Sequence, residues 1–338
     1  MATNRQTGCW PAHRTVCRAL LIKVINRVFL LAIYLEGIVY RRISSRRQTC
    51  HMTNNHLVLQ TDFGLQDGAV SSMRGVAYGV ASDIIISDLT HGITPFNIFE
   101  GSFRLFQTFS YWPAGTVFVS VVDPGVGSKR LSIIAETTGG HYIVTPDNGT
   151  LSHLLAHGLI ASARVIDETT QRLPGSEKSS TFHGRDIYAY NGAQLASGQI
   201  QYTDYQQVLP VDQLVKLPMQ PGRYQTTATG DVQLVGNIDI TDVNFGSLWS
   251  NIPVKEFEKL NLAYGDVLRV QIQHQGHTMF DDVLPYVHTF TDVAPGEPLI
   301  YIDSVYTVAF GVHTGSFEQT YHVGAGPEWA VTLTKVSA

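Results

Sequence analysis

The sequence predicts an N-terminal α/β domain with a largely parallel central sheet, followed by a small C-terminal β sandwich or β-barrel domain. Three observations predict this fold class. Short apolar, β-branched runs recur between Leu57 and Ile166, separated by stretches with helical spacing, as expected for strands covered on both faces by helices. Those runs end in loops rich in glycine and carboxylates. Beyond Val232 the apolar period changes to two, with turn residues between short strands and almost no helix, the pattern of a small sandwich or barrel.

The elements follow in order. Leu57 to Thr61 is the first strand, and Gly68 to Val80 sets Val70, Met73, Val76, Ala77 and Val80 on one helical face. Ile84 to Ile86 is the second strand. Asn97 stands where a helix reaching Tyr111 needs a cap, with Phe99, Phe103 and Phe106 inward. Thr116 to Val122 is the third strand. Strands at Leu131–Glu136, Tyr142–Val144 and Ala163–Ile166 come next, with a helix near Thr150–Ala156, and Asp186 stands as the cap of a helix through Ala196. Pro210, Pro218 and Pro221 mark irregular sequence, so the domains divide as 52–205 (α/β), 206–229 (linker) and 230–338 (barrel). Barrel strands are expected at Val232–Val235, Val267–Gln273, Leu299–Ile302 and Thr307–Phe310.

Composition narrows the function classes. The 338 residues are 44% hydrophobic and 15% charged, with a formal net charge of −5. Residues 1–51 hold nine of the 23 Lys and Arg but only Glu36 among the acids, so the rest carries 14 basic against 27 acidic residues, a net −13. An acidic body is a poor nucleic-acid partner. All three cysteines (Cys9, Cys17, Cys50) precede Met52, so the body needs no oxidising compartment and the expected location is cytoplasmic. Ala19 to Tyr40 is apolar-rich, yet Lys23, Arg27 and Glu36 interrupt it and Val28–Leu35 is its longest uncharged run, short of the ~20 residues a membrane span needs. Residues 1–51 therefore read as a basic extension outside the folded core, with a surface-lying amphipathic helix as the other reading. No membrane is expected for the core.

Chemistry-bearing residues recur where strands end: Asp62 and Asp67, Asp88 and His91, Asp123 and Arg130, Asp147 and Asn148, then His183, Arg185 and Asp186. In open α/β sheets ligands bind at the carboxyl ends of strands. The sharpest stretch is Val121-Val-Asp-Pro-Gly-Val-Gly-Ser-Lys-Arg130, a buried strand breaking into a glycine turn between a carboxylate and a cation. There is no G-x-G-x-x-G after a strand, no G-K-[ST] loop and no G-x-S-x-G, so dinucleotide, triphosphate and serine-nucleophile chemistry lack support. His153 and His157 have i, i+4 spacing without a third ligand nearby and are expected on a helix surface; no metal site is expected.

The motifs Thr61-Asp-Phe-Gly with Asp67, Asp88-Leu-Thr-His-Gly-Ile-Thr-Pro, Val122-Asp-Pro-Gly-Val-Gly, Pro146-Asp-Asn-Gly and Thr181-Phe-His-Gly-Arg-Asp occur in this order. Asp242-Val-Asn-Phe-Gly-Ser-Leu-Trp-Ser-Asn251 and Tyr301-Ile-Asp-Ser304 follow in the second domain. Together, over about residues 55–325, they resemble the S-adenosyl-L-methionine (SAM) hydroxide adenosyltransferases, SAM hydrolases that form adenosine and are relatives of the fluorinases and chlorinases. The resemblance implies an α/β domain plus a barrel, a homotrimer with sites at subunit interfaces, and no cofactor, SAM being the substrate. It implies Asp123, Arg130 and His183 as the water-activating set, which the halogenases lack. It also implies Asp62 on the ribose hydroxyls, Asp67, Asp242 and Ser304 at the amino-acid end, Phe245 and Phe290 around adenine with Ser247 beside it, and Phe96 and Phe182 near C5′. It implies Trp249 among the substrate-binding residues, at a position that is tryptophan in the halogenases and variable among the hydrolases. Ser247 replaces the family's usual Asn, and Asp303 another Asn. The alternatives to hydrolysis are a halogenase-like reaction and a non-catalytic SAM or adenosine sensor.

Overall fold

A computed structural model of the chain describes residues 54–228 and 230–336. The expectation of a basic extension over 1–51 lies outside the described residues. From Met52 onward the chain forms one compact unit. No helix among the described residues is long and apolar enough to cross a membrane.

The first half is a seven-stranded sheet in the order β2-β1-β3-β5-β4-β6-β7. Its strands are β1 (His56–Thr61), β2 (Ile85–Thr90), β3 (Val117–Val121), β4 (Ser132–Thr137), β5 (Tyr142–Pro146), β6 (Ile160–Val165) and β7 (Val208–Leu209). Pairing is parallel through β2-β1-β3-β5 and antiparallel through β5-β4-β6-β7. Alternation of side chains along each strand separates two cores. Leu57, Leu59, Val117, Val119 and Val144 face helix α1 (Ala69–Val80). Val58, Phe118, Ile133 and Ile143 face helix α2 (Ile98–Phe109) and helix α3 (Ser152–Ala156). Burial on both sides is why these strands read as unbroken apolar runs.

Two helix-level expectations change. Asn97 caps α2 as expected, accepting a hydrogen bond from the Glu100 backbone N–H at 3.1 Å. Asp186 does not cap the helix before Ala196; it is fully buried inside a wide first turn (Gly184–Ala189) that runs into helix α4 (Tyr190–Ala196), and pairs with Arg185. His153 is not a surface residue either. It is 2% exposed, with Nδ1 2.9 Å from Ser102 Oγ and Nε2 3.4 Å from Asp239, because α3 packs against both α2 and the barrel. His157, stacked on Phe106 at 4.4 Å, does lie at the rim.

The expected linker over 206–229 is instead tied to both halves. Its β7 extends the first sheet, Leu214 is buried in the α/β core, and β8 (Arg223–Thr226) pairs with β9 (Val232–Thr241) of the barrel. The barrel sheet runs β12-β11-β15-β9-β10-β14-β13, formed by β10 (Leu248–Pro253), β11 (Val267–His274), β12 (His277–Pro285), β13 (Pro298–Ile302), β14 (Thr307–Val312) and β15 (Trp329–Lys335). A bridge between Tyr286 and Ile300 brings its two edges nearly together. The halves are joined by an apolar cluster of Phe103 from α2 with Ile240, Trp249 and Ala309, and by Arg104 donating to the Thr241 carbonyl at 3.1 Å.

Candidate active site

The topology gathers Asp123, Arg130 and His183 at one edge of the first sheet. Strands β3 and β5 run parallel, so Asp123 and Asp147 both emerge at their carboxyl ends. The antiparallel β4 starts at that same edge, directly after Arg130, and β6 ends there. The turn between Asp123 and Arg130 is held by Asn148, whose amide donates to the Val122 carbonyl at 2.9 Å. Gly127 has φ +75°, and a Cβ there would lie 3.0 Å from the Ser180 carbonyl. Only glycine adopts that conformation at no steric cost, and its bare Cα lets the segment leading to His183 close onto the turn.

Within this edge the contacts are dense. Arg130 Nε lies 3.0 Å from both Asp123 carboxylate oxygens, and Nη2 donates to Oδ2 at 2.6 Å. Nη2 also lies 2.9 Å from His183 Nδ1, while Nη1 reaches Glu168 Oε1 and Ser132 Oγ at 3.0 Å each. The side chains of Arg130 and Asp123 are 9% and 5% exposed. Burial opposes the Arg130 charge, but the hydrogen bond to Asp123 and the neighbouring negative charges outweigh it and raise its pKa further. His183 is lowered by burial first; Glu168 and Asp123 favour its protonated form, whereas Arg130 and Arg172 oppose it. Burial raises Tyr188 well above its ordinary value, so its hydroxyl stays protonated 2.9 Å from Ser132 Oγ. Arginine only donates. His183 Nδ1 therefore accepts from Arg130, and in the neutral ring the proton sits on Nε2, a buried atom with no partner among the described residues.

Glu168, Ser132 and Tyr188 are not among the site residues that the sequence motifs point to. The available signal was that Glu168 follows the β6 strand, as Asp62 follows β1 and Asp123 follows β3. The antiparallel placement of β6, which puts its end at the same edge, is a property of the sheet.

The other site residues fall into separate groups. Asp62 Oδ2 accepts from the Phe96 N–H at 2.8 Å, fixing a loop in which Phe96 adopts φ 68° and is 71% exposed. Phe182 packs edge-on against Phe63 with centroids 5.9 Å apart. Asp67 is exposed and accepts from the Ala69 N–H at the start of α1.

In the barrel, Asp242, Phe245, Ser247, Phe290 and Tyr301 line a cavity of about 590 Å³ to which the α/β domain contributes no residue. Asp242 Oδ1 accepts the N–H groups of Asn244 and Phe245 and shapes the turn that presents Phe245. Phe290 lies over Gly311, where any Cβ would meet its ring at 2.7 Å. Trp249 does not line this cavity: it is buried against Phe103 in the seam between the halves, and its Nε1–H donates to the Tyr301 hydroxyl at 3.1 Å. Ser304 is exposed in the turn between β13 and β14. That turn is held by Asp303, which accepts from Val305 N–H, Thr307 N–H and Thr307 Oγ1 and whose pKa burial raises.

A buried carboxylate–guanidinium–imidazole cluster on an α/β sheet, joined to a barrel with an aromatic cavity, defines a two-domain protein built to act on a small molecule. The chain belongs to the SAM hydroxide adenosyltransferase family: the model of the family's N-terminal domain matches residues 57–205, and that of the C-terminal domain residues 236–330. A Salinispora tropica protein named (R)-S-adenosyl-L-methionine hydrolase is 35% identical over 277 residues, covering 80% of this chain and 95% of its own length. A fluorinase from an Actinoplanes species is 29% identical over 306 residues, 83% of this chain and 98% of its own. Among solved structures, an uncharacterized conserved protein from Thermotoga maritima superposes with a TM-score of 0.73 at 29% identity, covering 82% of this chain and 99% of its own.

Proposed function

We propose that this protein hydrolyses SAM to adenosine and L-methionine, with water attacking the ribose C5′. The observation that carries the reading is the hydrogen-bonded meeting of Asp123, Arg130 and His183 in one buried cluster. A sulfonium leaves as a neutral thioether, so the leaving side needs no acid and the reaction no cofactor. What the protein must supply is an oriented water that gives up a proton. Arg130 offers positive charge to developing hydroxide, Asp123 fixes that guanidinium, and His183 holds or takes the proton. Because a cation is attacked by developing hydroxide, charge separation falls toward the transition state, and a water-poor site favours it.

The substrate contacts are part of the same proposal. Asp62 would bind the ribose hydroxyls, and Phe96 and Phe182 would enclose C5′. Phe245 and Phe290 would hold adenine in the barrel cavity beside Ser247, with Trp249 steadying Tyr301. Asp67, Asp242 and Ser304 would take the amino-acid end; Asp242 Oδ2 accepts nothing from the described residues, so it is open to an ammonium group. One chain builds the barrel cavity without any α/β residue, and Phe96, Phe245, Val243 and Tyr306 are each at least 71% exposed. Exposed apolar side chains around both half-sites support a homotrimer in which a barrel of one subunit meets the α/β edge of the next. The absence of cysteine after Cys50 supports a cytoplasmic setting.

The test is incubation of purified protein with SAM, with and without added halide. Adenosine and methionine in equal amounts are expected in both, and His183→Ala should slow their formation roughly 10²–10⁴-fold. A 5′-halo-adenosine product, or tight SAM binding without turnover, would overturn the reading.

A further inference from the structure

We propose that Glu168 is a positioning residue of this site, holding the Nδ1 proton of His183 whenever that imidazole takes a proton from water at Nε2. The inference rests on the hydrolysis proposed above. As the cluster stands, His183 Nδ1 accepts from Arg130 at 2.9 Å, which places the neutral ring's proton on Nε2. Such a ring can orient water by donating from Nε2, but it has no lone pair there with which to remove a proton. A base needs the other tautomer, Nδ1–H, and that proton needs an acceptor.

The surrounding groups leave one candidate. Arg130 and Arg172 are cations without acceptors. Asp123 has both carboxylate oxygens engaged by Arg130. Glu168 Oε1 is anchored, 3.0 Å from Arg130 Nη1 and 2.5 Å from Ser132 Oγ, while its Oε2 lies 3.6 Å from His183 Nδ1. One oxygen is thus fixed by the Arg130–Ser132 pair and the second faces the imidazole. A small rotation of the guanidinium off Nδ1 hands that nitrogen to Glu168.

Before attack the neutral His183 ring exchanges its Nε2 proton through solvent for one at Nδ1, with no net gain, and Glu168 Oε2 accepts that Nδ1–H. The O–C5′ bond then forms as C5′–S breaks, and the bonding pair stays on sulfur in methionine. The water proton goes to the freed Nε2, and the imidazolium keeps donating Nδ1–H to Glu168. Release of the Nε2 proton to solvent then leaves one proton per turnover.

Glu168→Gln keeps the shape of the side chain and removes its charge. It should lower kcat roughly 10–100-fold, the scale on which a small misplacement of a catalytic group acts. KM should change little, since the barrel cavity contains no part of this cluster. The acid limb of kcat/KM should move to lower pH, because the carboxylate that favours protonated His183 is gone. Glu168→Asp, which keeps the charge, should hold that limb near its wild-type position. A kcat within about twofold of wild type, or a lower kcat with the acid limb unmoved, would overturn the proposal. Should Glu168→Gln fail to fold, ¹⁵N NMR of His183 in the wild-type chain decides the matter. An Nε2–H ring at high pH that gains a strongly hydrogen-bonded Nδ1–H on acidification is expected; a freely exchanging Nδ1 proton, or an Nδ1 that stays unprotonated through the titration, would overturn it. Wild-type SAM turnover is measured alongside. Unchanged SAM would count against the hydrolysis, while the NMR result judges Glu168 independently.

Discussion

At the edge of the α/β sheet, Asp123 and Arg130 are more than nine-tenths buried and locked to one another, whereas in the barrel Phe245 stands 71% exposed beside its cavity. The first region has its charges paired before any ligand arrives. The second offers aromatic faces and a carboxylate oxygen with open valence. Electrostatic work rewards groups that need no rearrangement when charge develops, so the cluster is closed in the single chain. Recognition of a flat, apolar base rewards open surface whose burial is completed on binding. The comparison therefore separates residues that should govern turnover from residues that should govern affinity.

The most severe test of this division is Arg130→Met. It strands Asp123 and Glu168 without their cation in a largely buried place, and loss of one partner from such a pair costs about 3–5 kcal/mol. Denaturant unfolding should show that loss together with near-abolished adenosine formation; a variant as stable as wild type would mean the cluster is not closed in solution. Phe290→Ala strikes the other region. Base–aromatic stacking is worth about 1–3 kcal/mol, so steady-state kinetics should give a KM raised roughly 10-fold with kcat nearly intact. A fall in kcat alone would erase the proposed division of labour.

Trp249→Phe probes the seam between the regions. It removes the hydrogen bond to Tyr301 and should cost about 1 kcal/mol of stability, with a smaller rise in KM than Phe290→Ala gives. The mildest effect is that of pH on stability. Burial first, aided by neighbouring positive charge, holds both His183 and His157 below their ordinary values. The unfolded chain then binds protons more readily than the folded one. Stability from these two groups is fully present above about pH 6.5, the ordinary histidine value, and is lost as the pH falls through their folded values. Thermal melts between pH 5 and 8 should show the midpoint falling on acidification; a midpoint that climbs would contradict the neutral, Arg-bound His183.

Local pattern determined much of this protein. The α1 stripe, the Asn97 cap, the buried third strand and the period-two barrel strands follow from side-chain spacing, which a sequence displays directly. The pairing of Asp123 with Arg130 was legible as well, because a carboxylate and a cation flanking a glycine turn at a strand end is a local signature; His183 entered only through ordered motifs that resemble one family. Other features depended on partners far apart in sequence. His153 became a core residue only because the barrel supplies Asp239 and α2 supplies Ser102. Trp249 left the cavity for the seam because Phe103 packs there. The stretch over 206–229 was drawn into both sheets by strands that pattern alone does not pair with it. Glu168 joined the cluster because β6 runs antiparallel to β4 and ends beside Arg130. Residue order along the chain dictates which groups carry the charge and where the chain turns. Tertiary structure alone decided which of His183's two nitrogens holds the proton, since that is set by a guanidinium arriving from 53 residues away.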